Sequence, residues 1–161
     1  VYGMAGLILE LAQQYPGVRV RIVPGITAAC AGAAVLGAPL MHDFAVISLS
    51  DRLTPLEDIW NRVEAAAQAD FVICLYNPAS KGRPDFFRQA CSRILKYRAE
   101  DTVCGLAVNI GREGEEMEVL TLEELKDRRV DMFTTVFVGN RQTCLIGGKM
   151  VTPRGYLQRG M

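Results

Sequence analysis

The amino-acid sequence predicts an α/β protein built on a mixed sheet flanked by helices. Three observations carry this. Strand-like and helix-like segments alternate through the early part of the chain, the pattern that builds strand–helix–strand units. One segment, Asp70 to Tyr76, is a continuous apolar run rich in β-branched and aromatic residues, which suits a central strand covered on both faces. Further on, two strand-like segments meet through a short charged turn at 109–116, which adds an antiparallel pair.

The elements follow in order. Met4 to Tyr15 places Leu7, Ile8, Leu11 and Ala12 on one helical stripe, and Pro16-Gly17 stops it. Val18, Val20 and Ile22 alternate with Arg19 and Arg21, which predicts a strand over 18–23. Pro24-Gly25 turns the chain, and a small-residue helix is expected over 26–36 with Thr27 at or near its start. Gly37-Ala38-Pro39 ends that helix, and 44–49 is a buried strand candidate. Thr54-Pro55-Leu56-Glu57 reads as a helix start with Thr as cap, Pro at the first position and Glu bonding back. The buried stripe of that helix is Ile59, Trp60, Val63, Ala66 and Ala67.

After the 70–76 strand comes a polar loop, 77–84, and then an amphipathic helix over 85–98 with Phe86, Phe87, Ala90, Ile94 and Leu95 inward. Strands are expected at 103–108 and around Met117 to Leu120. Thr121-Leu122-Glu123-Glu124 is a capping box opening a short helix to about Asp127. Phe133 to Val138 is the last strong strand, and the tail from Thr143 holds strand-like scraps with an irregular end.

Composition excludes several classes of function. Half of the 161 residues are hydrophobic and 22% are charged, so a sizeable core is available. Lys plus Arg equals Asp plus Glu at 18 each, which gives no support to a nucleic-acid partner. No apolar run approaches the roughly 18 residues needed to span a membrane, and the first residues lack the basic start and long apolar stretch of a signal peptide. The five cysteines are odd in number and form no CxxC, which favours buried thiols in a reduced cytoplasmic setting. His42 is the single histidine, so a multi-histidine metal centre is excluded and no protein-held metal is expected. The chain opens at Val1, and Val1 to Leu7 already resembles the middle of a strand–helix junction, so an N-terminal portion is expected to precede it.

Three turns fall at the C-terminal ends of apolar strands, around Thr27, Asn77 and Gly111. In open α/β sheets such ends hold ligands. Small or flexible residues there let backbone amides and carbonyls reach an uncharged ring such as adenine. Neither a P-loop nor GxGxxG is present to cradle a phosphate. On the loop after Asn77, Ser80, Lys81 and Arg83 concentrate hydroxyl and cationic groups that suit substrate carboxylates, although a solvated turn has the same composition. Arg112 with Glu113, Glu115 and Glu116 reads as a solvated hairpin end, Asp51 as a turn cap, and His42-Asp43 as a turn rather than a dyad. No residue stands out as a catalytic acid, base or nucleophile.

These motifs together resemble the tetrapyrrole (corrin and porphyrin) methylases, which use S-adenosylmethionine. The residues that carry the resemblance are Val1-Tyr2-Gly3-Met4-Ala5, Val23-Pro24-Gly25-Ile26-Thr27-Ala28-Ala29, Ser48-Leu49-Ser50-Asp51 with Leu53-Thr54-Pro55, Leu75-Tyr76-Asn77-Pro78 with Ser80, Gly111-Arg112 with Gly114-Glu115, and Val138-Gly139-Asn140. The Ser-Leu-Ser-Asp and Leu-Tyr-Asn-Pro motifs point to the branch that methylates carbon 17 of precorrin-3B or cobalt-precorrin-3, with ring contraction, in cobalamin biosynthesis. The resemblance implies a two-domain fold with the cofactor in the cleft between domains. Residues 1–16 would be the end of the N-terminal domain and a linker helix, and 17–161 mainly the C-terminal domain.

The resemblance also implies cofactor contacts from Val1, Thr27, Ala28, Leu75, Tyr76, Gly111, Thr134 and Thr135, while substrate contacts from Asn77, Ser80, Lys81 and Arg83 are expected from the composition of their loop. Expected partners are the tetrapyrrole substrate and a second copy in a homodimer, with no nucleic acid and no membrane. Three alternatives stay open. They are methylation at another corrin position or of uroporphyrinogen, a non-catalytic dimerisation or ligand-binding module, and an unrelated nucleotide-binding α/β domain.

Overall fold

The computed structural model describes residues 2–79 and 85–156. The element order is α1 (Gly3–Ala12), α2 (Ala28–Leu36), β1 (Gly37–Ala38), β2 (Phe44–Ser48), α3 (Leu56–Gln68), β3 (Val72–Tyr76), α4 (Phe86–Ile94), β4 (Val103–Val108), β5 (Glu116–Thr121), α5 (Leu122–Lys126), β6 (Thr134–Val138), β7 (Cys144–Ile146) and β8 (Lys149–Val151). The main sheet has the order β2-β3-β6-β4-β5, with β2 and β3 parallel and the other pairs antiparallel. A small second sheet, β1-β8-β7, closes on one side. The mixed α/β architecture is the one the sequence predicts.

The alternation of side chains across the sheet divides the core in two. Ile73 and Leu75 of β3, Cys104 and Leu106 of β4, and Val136 and Val138 of β6 face α3, α4 and α5, where Ile59, Val63, Phe87, Ile94, Leu122 and Leu125 meet them. Cys74, Ala107 and Phe137 face the other way, onto Ala29, Ala33 and Leu36 of α2. β3 is thus covered on both faces and has no exposed residue. The α3 stripe from Ile59 to Ala67 is buried as its spacing predicts.

α2 sits close on the sheet because its residues are small. A Cβ on Gly32 would lie 2.9 Å from the Phe137 ring and 3.0 Å from Ile110. A Cβ on Gly105 would lie 2.6 Å from Leu36, so glycines on both partners set the spacing.

The structure corrects several expectations. Residues 18–23 are not part of either sheet; no strand pairs with them among the described residues, and Val18, Ile22 and Val23 are exposed. The alternating pattern is real, but a strand needs a neighbour to take its backbone hydrogen bonds. β2 is an edge strand rather than a buried one. α3 covers one of its faces, while α2 lies over β4, β5 and β6 and leaves Phe44 and Val46 open. α3 starts after Pro55 with no side-chain cap bond from Thr54; Glu57 and Asp58 in the first turn favour the helix N-terminus electrostatically instead. α4 stops at Ile94 and passes through turns closed by Lys96 and Tyr97 amides, short of Arg98.

The strand-like scraps expected in the tail are β7 and β8, while residues 157–161 of its end lie outside the described residues. β7 and β8 form a hairpin through Gly147 and Gly148, both at positive φ (56° and 77°), the two-residue geometry that glycine permits. β8 then pairs with β1 in parallel. The Thr121–Glu124 capping box forms as expected, with the Thr121 amide donating to Glu124 Oε2 at 2.8 Å and the Glu124 amide to Thr121 Oγ1 at 3.3 Å.

Two glycine substitutions test this packing. A Cβ on Gly139 would meet the Val103 carbonyl oxygen and the Thr143 Cβ, both at 2.6 Å, and neither is a flexible side-chain end. Gly139→Ala is expected to destabilise the chain by about 1–3 kcal/mol in urea unfolding. Gly6→Ala, where nothing lies within 4 Å of the added Cβ inside α1, is expected to leave stability unchanged or raise it by up to about 1 kcal/mol. Equal effects of the two would contradict the packing described.

Candidate functional site

β2, β3 and β4 run in one direction and β6 in the other, so Ser48, Tyr76, Val108 and Thr134 lie along one edge of the sheet. The chain leaves this edge through left-handed asparagines, Asn77 at φ 52° and Asn109 at φ 50°. Asparagine tolerates that conformation better than other side-chain-bearing residues. Asn77 Nδ2 donates to Ser48 Oγ at 2.9 Å, and Asn109 Nδ2 donates to the Gly114 carbonyl at 3.2 Å. The Leu49 amide donates to the Tyr76 carbonyl at 2.9 Å, which ties β2 to the end of β3.

The N-terminus of α2 meets this edge at Tyr76. Thr27 occupies the cap position with extended dihedrals, yet its hydroxyl makes no bond to its own helix. The hydroxyl of Tyr76 accepts the Ala29 amide at 2.6 Å and shares a 2.5 Å hydrogen bond with Thr27 Oγ1. A residue 47 positions away in sequence therefore satisfies one of the amides that a helix leaves unpaired at its start.

A cavity of about 610 Å³ opens beside this junction. Its walls are α1 (Met4, Ala5, Ile8), the extended segment from Val20 to Ile26, the helix start at Thr27 and Ala28, and Tyr76. The lining is mostly aliphatic and carries one charged side chain, Arg21. That composition suits a largely uncharged, partly apolar ligand.

Of the predicted residues, the structure brings Thr27, Ala28 and Tyr76 together on this cavity. Leu75 is fully buried with its side chain on the opposite face, so only its backbone lies at the edge. By register, Thr135 lies opposite Ala107 and one step beyond the Leu75–Val136 pair, which puts it beside Tyr76 on the α2 face. Thr134 points to the other face, where its hydroxyl donates to Asp131 at 2.8 Å.

Gly111 lies outside the cavity lining, exposed at φ 71°, with its amide donating to Glu115 Oε2 at 2.6 Å. Its neighbour Ile110 packs with Tyr76 against the α2 core. Asn77 is engaged by Ser48 rather than by the cavity. Val1, Ser80, Lys81 and Arg83 lie outside the described residues.

Sequence reasoning missed the other walls. Tyr2, Met4, Ala5 and Ile8 line the cavity from α1, and Val20, Ile22, Val23 and Ile26 line it from the segment expected to be a strand. The sequence shows α1 as apolar nearly all round, and only the structure shows that it buries none of its residues. Among the described residues no group of three His, Cys, Asp or Glu side chains could hold a metal ion. No helix is long and apolar enough to cross a membrane.

Three buried thiols in the two cores are held neutral. Burial, with a smaller contribution from Cys30, pushes the Cys74 thiol up to about 12, and burial does the same to Cys91. Cys104 is raised further for the same reason.

Residues 1–126 match the family described as tetrapyrrole (corrin/porphyrin) methylases. The chain is 48% identical over 157 residues to a Salmonella typhimurium protein named probable cobalt-factor III C(17)-methyltransferase, covering 97% of this chain and 65% of that protein. It is 45% identical to the cobalt-factor III methyltransferase of Priestia megaterium, covering 99% of this chain and 30% of that protein. The chain therefore spans only part of the relatives it matches. Among solved structures, the methyltransferase CobJ superposes with a TM-score of 0.86 at 36% identity, covering 95% of this chain and 65% of that one. A uroporphyrin-III C-methyltransferase from Thermus thermophilus, solved with S-adenosyl homocysteine, shares the fold at a TM-score of 0.64 and 20% identity, covering 86% of this chain and 60% of that one.

The thiols give a check on how α2 and β3 enclose their core. With a disulfide-exchange reagent at pH 8, exposed Cys30 is expected to react first and half-buried Cys144 more slowly, while Cys74, Cys91 and Cys104 react only on unfolding. The folded pKa values of Cys74 and Cys91 lie above the ordinary value of 9.0, so only the unfolded chain releases these protons readily as pH rises. The stability this burial preserves is complete below about pH 9 and is lost as pH climbs toward about 12. Labelling of Cys74 as fast as Cys30 would contradict the buried β3.

Proposed function

The chain belongs to the tetrapyrrole (corrin/porphyrin) methylases, and from that premise we propose that it serves S-adenosylmethionine-dependent methylation at carbon 17 of precorrin-3B or cobalt-precorrin-3, with ring contraction, in cobalamin biosynthesis. The observation that carries this is the 48% identity, over 97% of the chain, to a protein named for that position of methylation. In this reading residues 1–16 form a linking helix and 17–161 the α/β domain that supplies one wall of the cofactor site. The molecule works in the cytoplasm as a homodimer, and cobalt, where present, arrives with the substrate.

The cavity beside Tyr76 fits the donor's chemistry. Its aliphatic walls and small helix start suit the donor's adenosine, and Arg21 is the one charged side chain of the lining, available to the carboxylate of the methionine arm. Thr27, Ala28 and Tyr76 would hold the cofactor, with the Leu75 backbone, Thr135 and Gly111 along the same edge. Bound there, S-adenosylmethionine brings an already activated methyl group on a sulfonium. The task left to the chain is alignment: α1 and the segment 20–26 wall the ligand on one side, and α2 and the end of β3 fix it on the other. Asn77 is proposed to face the substrate, as are Ser80, Lys81 and Arg83, on their chemistry alone.

One observation favours a second reading. Met4, Leu7, Ile8, Leu9 and Leu11 of α1 are all exposed, which suits a surface for self-association without catalysis. Calorimetry separates the two. Titration of the chain with S-adenosylhomocysteine is expected to give a micromolar Kd, with no heat from ATP or NAD at the same concentrations. Binding of ATP or NAD in its place, or of no nucleoside together with concentration-dependent dimerisation, would overturn the methyl-donor reading.

A further inference from the structure

The start of α2 has no local means of satisfying its own amides. Its sequence, AACAGAAVL, carries no acidic residue in the first turn, and Thr27 makes no capping bond to the helix. Elsewhere α2 is held mainly by apolar contact, Gly32 against Phe137 and Ile110 at its middle and Leu36 over Gly105 at its end, with Lys149 Nζ donating to the Val35 carbonyl at 3.2 Å near the C-terminus. Among the described residues, the side-chain hold on its N-terminus comes from Tyr76, whose hydroxyl reaches the Ala29 amide at 2.6 Å and Thr27 Oγ1 at 2.5 Å. A phenol offers one donor and two acceptor positions, and these two bonds commit two of the three to the protein. The ring itself packs against the α2 core, so ring and hydroxyl have separable tasks.

We propose that the Tyr76 hydroxyl is a positioning group rather than a ligand contact. It caps α2 from the end of β3 and so fixes the two cavity walls, helix start and strand end, at a set distance from each other. Thr27 completes the clamp, because its hydroxyl is turned to Tyr76 and away from its own helix. The consequence for cofactor affinity rests on the methyl-donor reading above; the clamp itself does not.

Tyr76→Phe keeps the ring and removes the hydroxyl. Amide hydrogen exchange and S-adenosylhomocysteine calorimetry are read on the same protein. The expected result is exchange at Ala29 faster by roughly five- to tenfold, the factor that loss of a helix cap gives, with Ala33 unchanged and the Kd weakened by a similar factor. Thr27→Val is expected to weaken the Kd in the same direction and Thr27→Ser to restore it. The Tyr76→Phe/Thr27→Val double variant should lose little beyond the larger single loss, because the two groups act as one unit. Unchanged Ala29 exchange in Tyr76→Phe would overturn the clamp. So would fully additive losses in Kd, which would make the hydroxyl a separate ligand contact. If the unaltered chain binds no S-adenosylhomocysteine, the methyl-donor reading fails instead, and Ala29 exchange then decides the clamp alone.

Discussion

Strand β3 runs through the middle of the molecule with Val72, Ile73, Cys74 and Leu75 all fully buried. Successive side chains on a strand point to opposite faces, so burial of all four requires a layer on each side. α3 and α4 supply one layer and α2 the other. The same parity sends Tyr76, the next residue on the α2 face, out at the sheet edge directly beneath the start of α2. The position of the cavity follows from this: it sits where a doubly covered strand runs out of cover and its last side chain meets a helix N-terminus.

The buried polar networks and the cavity lie at opposite edges of the sheet. At the edge away from the cavity, Arg98 is buried, pairs with Asp70 and donates to the Phe71 carbonyl at 2.9 Å. Asn140, Thr143 and Thr152 form a buried hydroxyl–amide chain there that reaches the Pro39 carbonyl at 2.7 Å and fastens the small sheet to the large one. Such networks are costly to disturb because each buried group would lose its partner. The cavity edge is instead built from left-handed turns, exposed backbone and a helix start held by two hydrogen bonds.

Much of the fold was legible because it rests on local signals. Strand 103–108, the α3 stripe and the Thr121–Glu124 capping box all depend on residues a few positions apart. What stayed hidden depends on distant partners. The alternation at 18–23 is a strand signal that the structure leaves unpaired, and the pairing of β1 with β8 joins residues more than a hundred positions apart. The turns at Thr27 and Asn77 lie near one edge of the sheet, although the segment before Thr27 pairs with no strand among the described residues. The bond between Thr27 and Tyr76, 49 positions apart, had no trace in spacing or composition. The apolar walls from α1 were visible as hydrophobic residues but not as a cavity, since a helix stripe looks the same whether it meets a core or a ligand.

The central claim is that one nucleoside-sized ligand binds where the end of β3, the start of α2 and the α1 side of the cavity meet. The most direct measurement is an amide chemical-shift map of the isotope-labelled chain during titration with S-adenosylhomocysteine. The account predicts saturable shifts concentrated at residues 2–8, 20–29 and 75–77, with smaller ones at 110–111 and 134–135, and none around Arg98 or the β7–β8 hairpin. Shifts centred on α4, α5 or the Arg98 edge, with residues 26–29 and 75–77 unmoved, would contradict it.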